Sequence, residues 1–154
     1  MMDSPERPQE SIEQARQSII DGFQCFEGWM ARYEYLIELG RSLPPFPEAL
    51  RTDTHRLHGC QANVWFVSRS CGGRLHFLAT SDSAIVAGLA ALLLKVYSGR
   101  TPEEILACPL DFVQETGLAH HLSANRANGL AHMLARIQAA ALDAAGINQE
   151  QNSP

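Results

Sequence analysis

Several features that would indicate a familiar class of protein are missing from this sequence. None of its four cysteines forms a Cys-x-x-Cys pair, which argues against a zinc ribbon or a thioredoxin-type dithiol. The longest apolar run, Ala84 to Leu94, is well short of the roughly 20 residues that a membrane span needs. No internal repeat and no linker is apparent. We therefore expect neither a structural zinc ion nor a membrane as partner.

Basic clusters are also missing. The chain has 12 Lys and Arg against 17 Asp and Glu, a formal net charge of −5, and no basic residues interleaved with aromatic ones. This composition argues against nucleic acid as a partner. The N-terminal residues MMDSPERPQE do not follow the basic-then-apolar pattern of a secretory signal. The sequence thus predicts a cytoplasmic protein with reduced thiols.

The length of 154 residues suits one domain whose core folds without a staple. We predict a domain over residues 10–145, with flexible tails at 1–9 and 146–154, because the two ends are polar and lack apolar periodicity. A first helix is predicted from near Ser11, since Ile12, Ala15, Ile19 and Phe23 recur at helical spacing. A second helix is predicted from Trp29 to Gly40, ending before a proline-rich stretch.

The middle of the chain predicts a hairpin. Val64 to Val67 is aromatic and β-branched, and Leu75 to Ala79 alternates well enough to pair with it across the Gly72-Gly73 turn. A short strand over about 55–58 would add a third ribbon. The predicted fold class is therefore α+β, with a small antiparallel sheet of about three strands packed against several helices.

Three further helices are predicted after the hairpin. Ser81-Asp82-Ser83 offers capping side chains for a core helix from Ala84 to Tyr97. Thr101-Pro102-Glu103-Glu104 is a capping box that opens a short helix through Ala107, which Pro109 stops. Ser123 caps a long alanine-rich helix. Its expected core stripe is Leu130, Met133, Leu134, Ile137 and Ala141.

Cys60 is the most informative single residue. Its neighbours Gly59, Gln61 and Asn63 favour turns or water, whereas a structural cysteine usually lies among apolar residues. Gly59 can take a positive φ and leaves room for a partner to approach the sulfur. A reactive, accessible thiol and an inert buried one both remain open from these residues alone.

The sequence as a whole resembles the SufE/CsdE family. The resemblance is carried by Gly59-Cys60-Gln61 with Val64-Trp65, and by His121-Leu122-Ser123 with Arg126 and Gly129-Leu130. It extends over most of the chain, from Trp29-Met30-Ala31-Arg32-Tyr33 through Ser81-Asp82 to Gly117-Leu118. Three positions depart from the family pattern: Ala62, Asn125 and Thr116.

The resemblance implies a fold similar to that of SufE and the IscU scaffold, and a function in iron–sulfur cluster assembly. Cys60 would accept sulfur from a persulfide on a pyridoxal-phosphate cysteine desulfurase of the SufS or CsdA kind, stimulate that enzyme, and pass the sulfur to a downstream cluster scaffold. The chain itself would hold no cofactor, since the pyridoxal phosphate belongs to the desulfurase. A homodimer is a further possible assembly.

Several polar residues near Cys60 are supporting or partner-binding candidates: His58, Gly59, Gln61, Asp82 and Arg126. His58 either favours the thiolate or points to the opposite face, since alternate strand residues do so. Asp82 either orients a backbone near the thiol or, as we favour, acts as an N-cap. Arg126 either binds a partner carboxylate or completes an ion pair.

Other residues have simpler expected roles. Trp65 is expected in the core, with the wall of the Cys60 cradle as the alternative. His120 and His121 are expected in a solvated loop rather than at a metal, and we predict no metal site. Cys25 is expected in the core, Cys71 in the Gly-Gly turn and Cys108 at a helix end.

Two alternative functions remain open. A cluster scaffold needs several ligands that converge on iron, of which only Cys60 is placed for the task. A stand-alone thiol enzyme needs a base or a resolving cysteine at the thiol, for which His58 and His121 are the candidate bases.

Overall fold

The computed structural model describes residues 10–59, 61–108 and 112–146, the side chains of Phe112 and Ala119 excepted. The chain is α+β, as predicted, with six α-helices and a two-stranded antiparallel sheet in these residues. The elements are α1 (Ile12–Gln24), α2 (Trp29–Arg41), β1 (Val64–Cys71), β2 (Arg74–Ser81), α3 (Ala84–Tyr97), α4 (Pro102–Ala107), α5 (Phe112–Glu115) and α6 (Ala124–Ala144). Short 3-10 helices lie at Glu48–Leu50, Asp53–His55 and Leu118–His120.

Helix α3 is the centre of the core. Ten of its 14 residues are buried, and α1, α2, α6 and β2 all pack against it. Its apolar residues lie on nearly every face, which is the pattern of a helix enclosed by other elements. The prediction of a central core helix over these residues is confirmed.

The crossing of α2 and α3 is unusually close because two glycines lie in the contact. A β-carbon on Gly88 would be 2.3 Å from the backbone oxygen of Leu36, and one on Gly40 would be 2.8 Å from the nitrogen of Gly88. Real β-carbon atoms do not approach so closely. Backbone therefore meets backbone at this crossing, and no larger residue fits at either position.

The hairpin has a two-residue turn, with Cys71 opposite Arg74 and Gly72-Gly73 between them. Both glycines have positive φ, 61° and 79°, as a tight hairpin turn of this kind requires. Val64 and Phe66 are buried on the side that faces the helices. Because side chains alternate along a strand, Trp65 lies on the other face, where the guanidinium of Arg51 covers its ring at 4.6 Å. The expectation of Trp65 in the core is therefore wrong.

The predicted third strand is reduced to a single bridge. The segment 53–55 forms a 3-10 turn instead of extending, and only Arg56 then bridges Trp65. Leu57 adds one hydrogen bond, from its N–H to the oxygen of Val64 at 2.8 Å. A second bridge joins Leu75 to Arg100 on the other edge of the hairpin.

The helix starts follow the capping signals in the sequence. Ser11 and Gln14 form a capping box at α1, and Thr101 and Glu104 form one at α4. Ser123 caps α6, whose buried residues are Gly129, Leu130, Met133, Ile137 and Ala141. Leu134 of the predicted stripe is partly buried.

Some predictions fall on residues that the structure does not describe. The proposed stop at Pro109 and nearly all of the two predicted tails lie outside the described residues. In the part of the chain that the structure describes, no helix is both long and apolar enough to cross a membrane.

Because α2 and α3 meet at backbone distance at Gly40 and Gly88, a methyl group added at this contact should destabilise the domain. Gly88→Ala would force apart α2 and α3 at the Leu36 oxygen, so we expect the free energy of unfolding to fall by about 1–3 kcal/mol. The matched control is Gly129→Ala in α6, where the nearest atom to the new β-carbon is Val86 Cγ1 at 4.0 Å. That variant should gain up to about 1 kcal/mol, because alanine favours helix over glycine. Urea denaturation of both variants measures the difference, and equal stabilities would contradict the close crossing.

Candidate functional site

The candidate site is built from the residues on either side of Cys60, which itself lies outside the described residues. The chain leaves the sheet after Leu57 and rejoins it at Val64, and the Leu57 N–H bond to the Val64 oxygen closes the segment 58–63 at its base. His58, Gly59 and Gln61 are all exposed. The sequence neighbours of the cysteine thus lie at the surface of the domain.

On one side of this segment Gly59 packs against α6. Its φ is 92°, and a β-carbon built on it would lie 2.9 Å from Nε2 of His132. His132 and His58 line a cleft of about 330 Å³, together with Leu57 and Arg136. The imidazoles of His58 and His132 and the guanidinium of Arg136 therefore lie near the chain just before Cys60. His58 belongs to the turn itself, and the other two lie on α6.

On the other side Gln61 is tied to the start of α6. The side-chain amide of Asn125 donates a hydrogen bond to Oε1 of Gln61. Gln61, Asn125 and Arg126 line a second cleft of about 330 Å³ with Ser83 and Ser123. Asn125, one of the three departures from the family pattern, thus contacts the segment around Cys60 through its side-chain amide.

Several groups bring positive charge to the second cleft, and Arg126 is one of them. Ser83 caps α3 and Ser123 caps α6, so two helix N-termini meet at this cleft. Each N-terminus carries about half a positive charge from the aligned peptide dipoles. Arg126 is exposed and has no ion pair with any residue that the structure describes.

Asp82 has a different role from the one we favoured from the sequence. Ser83, not Asp82, is the N-cap of α3, since its Oγ accepts from the N–H of Val86 at 3.3 Å. The carboxylate of Asp82 instead accepts from the backbone N–H of Asn63 at 3.2 Å and from its side-chain amide at 2.8 Å. Asp82 thus anchors the end of the Cys60 segment to the sheet, which is the alternative role that we considered.

The family model described as SufE, an Fe–S metabolism associated domain, matches residues 17–141. The chain belongs to the SufE family. It is 42% identical over 128 residues to an uncharacterized SufE-like protein of Rhizobium meliloti strain 1021, covering 80% of this chain and 91% of that one.

Other relatives agree with this assignment. A second uncharacterized SufE-like protein, from Rhizobium etli, is 39% identical over 125 residues, which cover 78% of this chain and 84% of the relative. Among solved structures, a hypothetical protein from Thermus thermophilus matches with a TM-score of 0.70 at 25% identity, covering 84% of this chain and 95% of that chain. The resemblance inferred from the sequence is therefore confirmed, together with the fold.

Of the candidate residues in this SufE chain, the structure brings His58 and Gly59 to one cleft and Gln61 and Arg126 to the other. Asp82 lies behind them, at the base of the segment. His132 and Asn125 were missed by sequence reasoning. Both lie on α6, more than 60 residues after Cys60, and no local pattern marks them; only the packing of α6 against the segment does.

The remaining histidines and cysteines lie elsewhere. His121 stacks on Trp29 at a ring distance of 3.7 Å, and its backbone oxygen accepts from the hydroxyl of Tyr33. In the described residues no group of three or more His, Cys, Asp or Glu side chains is arranged to hold a metal ion. Cys71 is half-buried and Cys108 is buried.

The expectation of a buried Cys25 is wrong, since this residue is exposed. Cys25 follows the last helical residue of α1 and lies two positions after Phe23, the end of the buried stripe. Two positions turn a helix by about 200°, which points the side chain away from the core.

The anchoring role of Asp82 can be tested by Asp82→Ala. The change removes both acceptors of Asn63, so we expect faster hydrogen exchange at the Asn63 amide and a loss of about 0.5–1.5 kcal/mol in unfolding free energy. The control is Asp53→Ala, whose carboxylate is exposed and pairs only with Arg56 in the described residues. Unchanged Asn63 exchange in the Asp82 variant would contradict the anchor.

The contact between Gly59 and His132 predicts a coupled pair of substitutions. Gly59→Ala should be destabilising for two reasons: alanine at positive φ costs roughly 1–2 kcal/mol, and its methyl group meets the imidazole. Adding His132→Ala should recover only the second part. A double-mutant cycle in urea measures this coupling, and strictly additive effects would show that the ring does not press on Gly59.

Proposed function

We propose that this SufE-family chain is a sulfur acceptor, which takes persulfide sulfur from a pyridoxal-phosphate cysteine desulfurase onto Cys60 and passes it on for iron–sulfur cluster assembly. The observation that carries the proposal is the construction of the Cys60 segment. Its described residues His58, Gly59 and Gln61 are exposed, while its base is fixed by the Leu57–Val64 hydrogen bond and by Asp82. An acceptor needs such a segment, because its thiol must enter the active site of another protein.

The transfer is a thiolate displacement at sulfur. The Cys60 thiolate attacks the terminal sulfur of the desulfurase persulfide, a new S–S bond forms on Cys60, and the old S–S bond breaks. The desulfurase cysteine leaves as a thiolate and takes up the proton that Cys60 gave up. No net oxidation occurs, so the step needs no further reagent. Removal of the sulfur frees the desulfurase for its next turnover, which explains the stimulation that we expect.

The charges around the segment support this chemistry. Both the attacking thiolate and the persulfide that results are anions. Arg126 and the N-termini of α3 and α6 line the cleft after Cys60, and Arg136 lines the cleft before it. Positive charge and helix N-termini favour an anionic sulfur over its protonated form. Pyridoxal phosphate remains with the desulfurase, and the cytosol, where thiols stay reduced, is the compartment that suits the reaction.

The proposal predicts which cysteine gains sulfur. After incubation with a cysteine desulfurase and free cysteine, the wild type should gain the mass of one sulfur atom, and a reductant should remove it. Cys60→Ser should gain no sulfur. With this variant, the desulfurase should be no more active than it is without any acceptor protein. Intact-mass spectrometry measures the first result and alanine or sulfide release the second.

Two controls make the experiment decisive. Cys25→Ser and Cys71→Ser remove thiols that are exposed and half-buried, and both variants should load as the wild type does. Full stimulation by folded Cys60→Ser would refute the acceptor role. A stoichiometric coloured cluster on the purified chain after addition of iron and sulfide would favour a scaffold in its place.

A further inference from the structure

A second concave surface lies at the other end of the domain. Two adjoining clefts, of about 300 and 250 Å³, share Pro44, Phe77 and Ser98. The first runs between the end of α2 and the C-terminal half of α3, and the second continues onto the outer face of the hairpin. We call the two clefts together the hairpin groove. Its apolar lining includes Leu39, Leu43, Pro44, Val67, Phe77 and Leu94.

The groove is separate from the Cys60 segment. Ser83 and Val86, at the start of α3, line the cleft next to Gln61, whereas Lys95 in the last turn of α3 and Ser98 just after it line the groove. A helix of 14 residues is about 20 Å long. A molecule bound in the groove would therefore leave the Cys60 segment accessible.

In the described residues, two charged side chains line the groove, Arg69 and Lys95, and both are basic. Arg69 and His76 face each other across the hairpin at one end, and Lys95 lies at the other. Arg69 is exposed and has no ion pair with a described residue. Lys95 has only a half-exposed contact with Glu10, at the 4.0 Å limit of an ion pair. No carboxylate lines either cleft in the residues that the structure describes.

His76 lies on the same face of the hairpin as Arg69 and lines the second cleft. Burial, together with the guanidiniums of Arg69 and Arg74, holds its pKa below the ordinary value for histidine. Arg74 is partly compensated by Glu104 at 3.7 Å, while Arg69 is not. In the described residues, Arg69 therefore carries an uncompensated positive charge at the hairpin end of the groove.

The chain around the hairpin has more basic residues than carboxylates, although Arg51, Arg56 and Arg74 pair with Glu48, Asp53 and Glu104. Residues 49–81 contain four arginines and one carboxylate, whereas the rest of the chain contains eight basic and sixteen acidic side chains. A basic, apolar groove on an acidic protein attracts an acidic partner and repels a basic one.

We propose that the hairpin groove binds a short acidic and apolar peptide segment of a partner protein, whose leucine-like side chains fill the two clefts while its carboxylates pair with Arg69 and Lys95. Apolar burial in the clefts supplies affinity, and the charges supply orientation and choice of partner. The proposal is independent of the acceptor role of Cys60. It gives the domain a second point of attachment at the far end of α3.

The test uses a defined probe. A fluorescein-labelled peptide of alternating leucine and glutamate is titrated with the whole protein at low ionic strength, and anisotropy is measured. The same peptide with lysine in place of glutamate serves as the charge control. We expect binding of the acidic peptide alone, a loss of at least tenfold in affinity for Arg69→Glu, and a smaller loss for Arg69→Gln.

The matched control variant is Arg41→Glu. Arg41 is exposed on α2, pairs with Glu38 at 2.7 Å and lines neither cleft, so its charge reversal changes the net charge equally without altering the groove.

Amide chemical shifts of the labelled protein should change at Leu43, Val67 and Lys95 when the acidic peptide is added. Equal losses for Arg41→Glu and Arg69→Glu, or shifts centred on Gln61 and Arg126, would overturn the proposal. So would Arg69-dependent dimerisation, or Arg69-dependent binding to anionic lipid vesicles, in the absence of peptide binding.

Discussion

The backbone contact between α2 and α3 fixes the position of everything else in the domain. Because Gly40 and Gly88 carry no side chains, the two helices meet at backbone distance, and α3 lies deep enough for α1, α6 and β2 to cover its remaining faces. The start of α3 is thereby fixed as well. Ser83 and Val86 lie there, beside the N-terminus of α6 and the chain that follows Cys60.

The Cys60 segment depends on this arrangement without being part of the core. Asp82, the residue before the N-cap of α3, anchors Asn63, while α6 contributes Asn125 to one side of the segment and His132 to the other. A rigid core therefore supports an exposed segment at its two ends. This division suits a family associated with Fe–S metabolism, in which we propose that the cysteine is offered to other proteins.

Local signals in the sequence were sufficient to predict the helices that begin with a capping side chain and the hairpin whose turn is formed by glycines. Ser11, Thr101 and Ser123 mark helix starts, and Gly72-Gly73 marks the hairpin, because each of these residues acts on backbone groups within a few positions. Burial was harder to predict. Trp65 is apolar but its place in the alternation puts it outside, and Cys25 lies just past the point where its helix ends.

The parts of the site that could not be predicted are those made by long-range packing. Ser83 rather than Asp82 caps α3, because the carboxylate of Asp82 accepts from Asn63, the residue just before β1. His132 became relevant only because α6 passes Gly59. For Cys60, the family resemblance suggested the sulfur-acceptor role that we propose, and the exposure of His58, Gly59 and Gln61 supports it.

The uneven distribution of charge has a consequence for the way this molecule meets others. With Arg69 and Lys95 at the hairpin groove and a formal net charge of −5 over the whole chain, charge is unevenly distributed, which gives the protein an electric dipole moment in addition to its net charge. In the field of a charged partner such a molecule rotates before it touches, so that a larger share of collisions arrives in one orientation. Dissolved ions screen this torque at separations beyond about one Debye length, so the encounter rate depends on the ionic strength of the surroundings.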